Sequence, residues 1–146
     1  MSFSNTIEIN KPIDEVFSAV SNFLQYPDIF DHVEEMAKIT DGPIEVGTKF
    51  KETRLIRGFK AYATLEILTY NPSKQLVVKN EPSGLVIVQD YIFEQTGQGT
   101  RVQLTSKVKT KGLRNLLTKP VMTKILKKED VENLESFKKY IEGVRE

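Results

Sequence analysis

A chain of 146 residues with 39% hydrophobic and 28% charged residues has the length and composition of one domain with its own core, and wholesale disorder is excluded. Its net charge is +1 and it has no cysteine, which rules out disulfides, thiolate metal sites and a cysteine nucleophile, and leans toward a reducing, cytoplasmic setting. No apolar run approaches the roughly 18 residues of a spanning helix, so a soluble, unsecreted protein is expected.

In chain order, Phe3, Ile7 and Ile9 alternate with polar residues as in a half-buried strand, which Lys11-Pro12 ends. Pro12 suits the first position of a helix, and Ile13, Val16, Phe17 and Val20 follow at helical spacing. A second helical turn is expected over 22–30, interrupted at Tyr26-Pro27. Strand patterns then cover 33–40, 49–57, 59–69, 75–80, 85–94 and 101–109. Their separators, Asp41-Gly42-Pro43, Asn71-Pro72-Ser73, Glu81-Pro82-Ser83-Gly84 and Gly97-Gln98-Gly99, are turn sequences, and Arg57-Gly58 alone divides a tight hairpin.

Strand faces follow from the period of two. Phe59, Ala61, Ala63, Leu65 and Ile67 are expected to point inward, as are Leu76, Val78, Val102, Leu104 and Val108. An inward odd face after Leu85 carries Ile87, Gln89 and Tyr91 into the interior. Neither face of 49–57 is cleanly apolar.

The C-terminal segment is helical from about Pro120 to about Val144, with a turn before it at Leu113–Leu117. Met122, Leu126, Phe137, Ile141 and Val144 form one stripe with Leu134 at its edge, and Asp130 and Asn133 fall inside that stripe. Two polar groups facing an apolar interior cost free energy unless paired. Either the helix is bent or locally exposed there, or Asp130 and Asn133 border a cavity. In the second case the lining is Ala61, Ala63, Leu65, Leu76, Val78, Ile87 and Leu104 with Leu126 and Phe137, and Arg54, Gln89 and Tyr91 are polar partners. The small pair Ala61 and Ala63 would leave the room opposite the helix.

Chemistry is sparse. His32, the single histidine, follows Asp31 and is expected in an exposed loop, so no metal site or histidine triad is assigned, and no cofactor. Glu34-Glu35 and Glu129-Asp130 are sequence neighbours that point apart, so neither forms a dyad; Glu52, Arg54, Tyr91 and Asp130 are the acid/base candidates inside the fold. Charge is segregated. Residues 1–46 carry nine acids against Lys11 and Lys38, a local −7, whereas 107–128 carry eight bases and no acid. That second segment is either a solvated face or a contact for an anionic lipid surface, RNA or an acidic protein.

The order of these pieces is similar to a known group. Ile7-Glu8-Ile9-Asn10-Lys11-Pro12-Ile13-Asp14-Glu15-Val16-Phe17, Tyr26-Pro27, Val46-Gly47-Thr48-Lys49-Phe50 and Leu134-Glu135-Ser136-Phe137-Lys138-Lys139-Tyr140-Ile141-Glu142 together resemble the START-like superfamily of polyketide cyclase-type, lipid-transfer and pollen-allergen-type proteins. The resemblance covers nearly the whole chain. It implies an α+β helix-grip fold: a curved seven-stranded antiparallel sheet around the long C-terminal helix, two short helices closing one side, and an apolar ligand cavity between helix and sheet. It carries no shared catalytic motif. Binding or transport of a small apolar or amphipathic molecule by a single domain over 1–146 is therefore expected, with a cyclase- or hydrolase-like enzyme and a surface-docking module as alternatives.

Overall fold

The computed structural model describes residues 2–82, 85–110 and 119–143. Seven strands, β1 (Ser2–Ile9), β2 (Val33–Lys38), β3 (Lys49–Ile56), β4 (Phe59–Asn71), β5 (Gln75–Glu81), β6 (Leu85–Gln95) and β7 (Thr100–Thr110), form one antiparallel sheet in the order β1-β7-β6-β5-β4-β3-β2. Consecutive strands from β2 to β7 are neighbours in the sheet. Only β1 pairs far along the chain, with Ser2 opposite Lys107 and Ile9 opposite Thr100.

Between β1 and β2 lie α1 (Ile13–Ser21), a 3-10 turn over Phe23–Gln25 and the short α2 (Tyr26–Ile29). Pro12 caps α1 and Val16, Phe17 and Val20 form its buried face. The segment is divided at Tyr26, as expected, where the 3-10 turn gives way to α2; Pro27 does not break it further, because it sits in the first turn of α2, where its missing N–H has no partner to lose. Tyr26 anchors the segment, its hydroxyl donating to the Val20 carbonyl at 2.6 Å. The long α3 (Lys119–Glu142) crosses the concave face and is tied to the start of the chain, where the Asn10 amide donates to Glu142 at 2.7 Å. Among the described residues no helix is long and apolar enough to cross a membrane.

The β3–β4 hairpin turns on Arg57 (φ 50°) and Gly58 (φ 85°), two positive φ values in succession, which is the type I′ geometry that matches strand twist. The inward phase expected for all of β4 holds for Ala63, Leu65 and Ile67 but fails at the tip, where Phe59 is 77% exposed. Leu55 and Ile56 are exposed there too. Both faces of the tip therefore stand clear of whatever covers the sheet, and alternation has no interior to point toward. At the opposite end the β6–β7 turn packs against the β1–α1 corner so closely that a Cβ on Gly99 would collide with the Ile9 carbonyl and approach the Lys11 nitrogen to 2.9 Å.

The interior divides into two apolar clusters. The larger joins Phe17, Phe23, Tyr26, Phe30, Phe50, Leu65, Leu76, Val78, Tyr91, Leu104, Leu134 and Phe137 with their neighbours. The smaller holds Phe3, Leu85, Ile87 and Val108, with Leu126 packed against it. The expected helical stripe is present in buried Leu134, Phe137 and Ile141, while the Met122 side chain, Val144 and the turn at Leu113–Leu117 lie outside the described residues.

Candidate functional site

A belt of polar side chains separates the two clusters. On each strand it occupies a position where the alternating inward phase would otherwise place an apolar residue. Asn80 follows Leu76 and Val78 on β5, Gln89 lies between Ile87 and Tyr91 on β6, and Ser106 lies between Leu104 and Val108 on β7. Gln89 and Ser106 are opposite each other in register. From β3 come Glu52 and Arg54, and α3 supplies Glu129, Asp130 and Asn133 from above.

Arg54 holds this belt together: its Nε donates to Glu52 at 2.5 Å and its Nη1 donates to Glu129 at 2.8 Å. Glu52 is buried with a side-chain exposure of 4%, whereas Arg54 and Glu129 keep about a quarter of theirs, at 22% and 27%. Asp130 is buried. Ser106 Oγ donates to it at 2.5 Å and Gln89 Nε2 at 3.5 Å. Burial pushes the Asp130 carboxyl up to about 6; the Ser106 bond pulls it down, the neighbouring Glu129 pushes it up, and the Gln89 bond pulls it down. Burial, with the Asp130 and Glu52 carboxylates adding to it, holds the Tyr91 phenol well above its usual range. Tyr91 is thus a neutral hydroxyl at any ordinary pH, and Asp130 exchanges its proton at about pH 6. Asn80 is 5% exposed, and its Oδ1 accepts no hydrogen bond from any described residue.

Two chambers meet at this belt. The inner one, about 30 Å³, lies toward the larger cluster and is walled by Phe23, Tyr26, Phe30, Leu65, Val78, Tyr91, Asn133 and Phe137. That is room for one or two waters. The outer one, about 220 Å³, lies over the smaller cluster and is walled by Phe3, Ile56, Leu85, Ile87, Ile125 and Leu126, with Ser106, Glu129 and Asp130 at its polar end. Arg54, Asn80 and Gln89 border both chambers. A surface depression that also includes His32, Lys128 and Glu132 shares Arg54, Ile56, Ile125 and Glu129 with the outer chamber, so the outer chamber's mouth lies between the β3–β4 tip and α3.

The residues expected from the sequence are distributed unevenly over this geometry. Leu65, Val78, Tyr91, Asn133 and Phe137 border the inner chamber, Ile87, Leu126 and Asp130 the outer one, and Arg54 and Gln89 both. Ala61, Ala63, Leu76 and Leu104 border neither. Leu76 and Leu104 are completely buried in the larger cluster. Ala61 and Ala63 stand beside Arg54 and Glu52 in register, and it is that longer pair which reaches the chambers. His32 is half-buried rather than exposed, its ring 5.7 Å from that of Phe30. Of the two explanations open for the helix, burial of Asp130 removes local exposure.

Asn80, Ser106 and Glu129 are site residues that sequence reasoning did not single out. For Asn80 and Ser106 the signal was their inward strand phase. Among the described residues no group of three or more His, Asp or Glu side chains is placed to hold a metal ion.

No curated protein matches the sequence. Three solved structures share its fold: the Zhui aromatase/cyclase from a Streptomyces species (TM-score 0.82, 14% identity, 97% of this chain and 93% of that one), Ara h 8.0201 (0.78, 16%, 98% and 98%) and a START superfamily protein from Mycobacterium smegmatis (0.77, 17%, 99% and 99%). These likenesses identify the helix-grip architecture, and the family assignment comes from the sequence. With residues 1–142 matching its pattern, the chain belongs to the polyketide cyclase / dehydrase and lipid transport family.

Proposed function

We propose that this protein binds a small amphipathic molecule, its apolar part on Phe3, Leu85, Ile87 and Leu126 and its polar end at the Arg54–Asp130 belt. The observation that carries this reading is the outer chamber itself: about 220 Å³ of space with an apolar floor and hydrogen-bonding groups gathered at one end. It is smaller than the roughly 300–1,000 Å³ of sites for drug-sized ligands, which favours a compact ligand. Filling it tests the reading. Ile87→Trp should reduce uptake of a small apolar fluorescent probe at least tenfold. Stability should change by less than about 1 kcal/mol, because an existing void accepts volume that a packed core rejects at about 1–3 kcal/mol. Ala63→Phe is the packed-core control, expected to lose stability and keep the probe. Undiminished probe uptake by Ile87→Trp would rule out the outer chamber as the binding site.

A second reading, acid/base chemistry on the bound molecule, draws support from Asp130, which exchanges its proton at about pH 6 beside a neutral Tyr91.

Delivery of an apolar ligand also needs a surface to meet. Around the mouth, Phe59, Ile56, Val121 and Ile125 are exposed, and Lys124, Lys127 and Lys128 are exposed on α3 beside them. Lys107 and Lys109 on β7 are exposed as well, while Lys111 and Arg114 lie outside the described residues. This combination suits an anionic lipid surface. Reversal of Lys124, Lys127 and Lys128 to Glu should leave the melting temperature nearly unchanged, since surface charges contribute little to stability. Sedimentation with phosphatidylserine vesicles at low salt should fall at least tenfold, and equal sedimentation of parent and variant would exclude the contact.

A further inference from the structure

The polar end of the outer chamber is unbalanced. Two carboxylates, Glu129 and Asp130, border it with one guanidinium, and Arg54 is already committed to Glu129 and to Glu52 of the inner chamber. The groups acting on Asp130 are the Ser106 hydroxyl, the Gln89 amide and the Glu129 carboxylate, with no cation among them. Asn80 borders the same space at 5% exposure, and its Oδ1, closed off by burial, accepts no hydrogen bond from any described residue. The charged groups that border the chamber therefore carry a net negative charge whenever Asp130 is ionised. We infer that the ligand's polar end is a protonated amine, hydrogen-bonded to Asp130, and that fatty carboxylates of the same size are excluded.

The remaining charges do not reverse this. Tyr91 on β6 is neutral. At the mouth His32, Lys128, Glu129 and Glu132 stand in the depression outside, and Lys128 pairs with Glu132 at 4.0 Å. The exposed lysines of α3 are screened by salt beyond about 10 Å, whereas a buried carboxylate is not. A carboxylate ligand would need Arg54, and to reach it would displace Glu129 and meet Asp130. An ammonium group meets in Asp130 a carboxylate that lacks a cation, and hydrogen bonds between charged groups are among the strongest.

This inference rests on the container reading, and the test keeps the two apart. Octylamine, octanol and octanoate share one chain length and differ in the polar end. Each would be titrated against the protein by displacement of the neutral fluorescent probe, at pH 7.5 and at pH 5. At pH 7.5 octylamine should bind on the order of tenfold more tightly than octanol, the scale of one charge-assisted hydrogen bond, and octanoate should bind weakest. Below pH 6 the octylamine preference should shrink as Asp130 takes up its proton. Asp130→Asn should reduce octylamine affinity to that of octanol. Glu129→Gln, at a position about a quarter exposed, should release Arg54 from one of its two carboxylates and improve octanoate binding severalfold. Octanoate or octanol binding as tightly as octylamine to the parent overturns the inference while the container stands. If the probe and all three compounds fail to bind, both fall together.

Discussion

Replacing Phe137 by alanine is expected to cost about 3–5 kcal/mol of stability and on the order of 10 °C in melting temperature. The ring is 1% exposed at the centre of the larger cluster. Three aromatic rings, two from the α2 segment and one from β6, converge on it edge-on: Phe30 at 4.9 Å, Tyr26 at 5.7 Å and Tyr91 at 6.4 Å between centroids. Each such pair contributes about 0.5–1.5 kcal/mol beyond its area. The same substitution should enlarge the inner chamber, which Phe137 walls and which otherwise admits about 30 Å³. Urea denaturation measures the first effect. A small apolar ligand such as indole, binding the enlarged space and restoring part of the melting temperature by mass action, measures the second. A loss under about 1 kcal/mol would mean that the surrounding rings collapse into the space and that the inner chamber is plastic.

Phe137 also shows what the sequence disclosed. Its place on the α3 stripe with Leu134 and Ile141 follows from helical period, and the strands from β2 to β7 were legible because each is bounded by Gly, Pro or Asn turns and pairs with its neighbour in sequence. The polar positions Gln89 and Asp130 were legible for the same reason, as departures from an otherwise apolar phase. Depth along the sheet was not. Period two says that Phe59 and Leu65 share a face, yet only Leu65 lies under the helix, because coverage is set by where α3 crosses and by the length of the hairpin. The outer chamber was equally hidden. Its wall combines Phe3 with Leu85 and Leu126, residues brought together by the pairing of β1 with β7 and the docking of α3. Small side chains were a misleading guide to empty space: Ala61 and Ala63 adjoin long neighbours, and the void lies instead over Leu85 and Ile87.

Asp130→Asn should raise stability at pH 7 by up to about 3 kcal/mol and leave it nearly unchanged at pH 4. In the folded chain the carboxyl keeps its proton to about pH 6, against an ordinary value of 3.8. Between those values the folded state binds more protons than the unfolded state, so this group's contribution to stability falls as pH rises through the window and stays low above it. At about 1.4 kcal/mol per pH unit the interval corresponds to about 3 kcal/mol. Asparagine keeps an acceptor for the Ser106 hydroxyl and carries no charge at any pH, so the fall disappears. Because other carboxylates titrate over the same range, the quantity to follow is the difference between variant and parent in urea midpoint, measured from pH 4 to pH 7.5. A difference that stays flat across that range would show that Asp130 ionises as freely as an exposed carboxylate and that the belt is open to solvent. A difference that opens between pH 4 and pH 6 would identify a charge that the empty chamber holds at a cost, and a cationic ligand seated beside it would offset that cost.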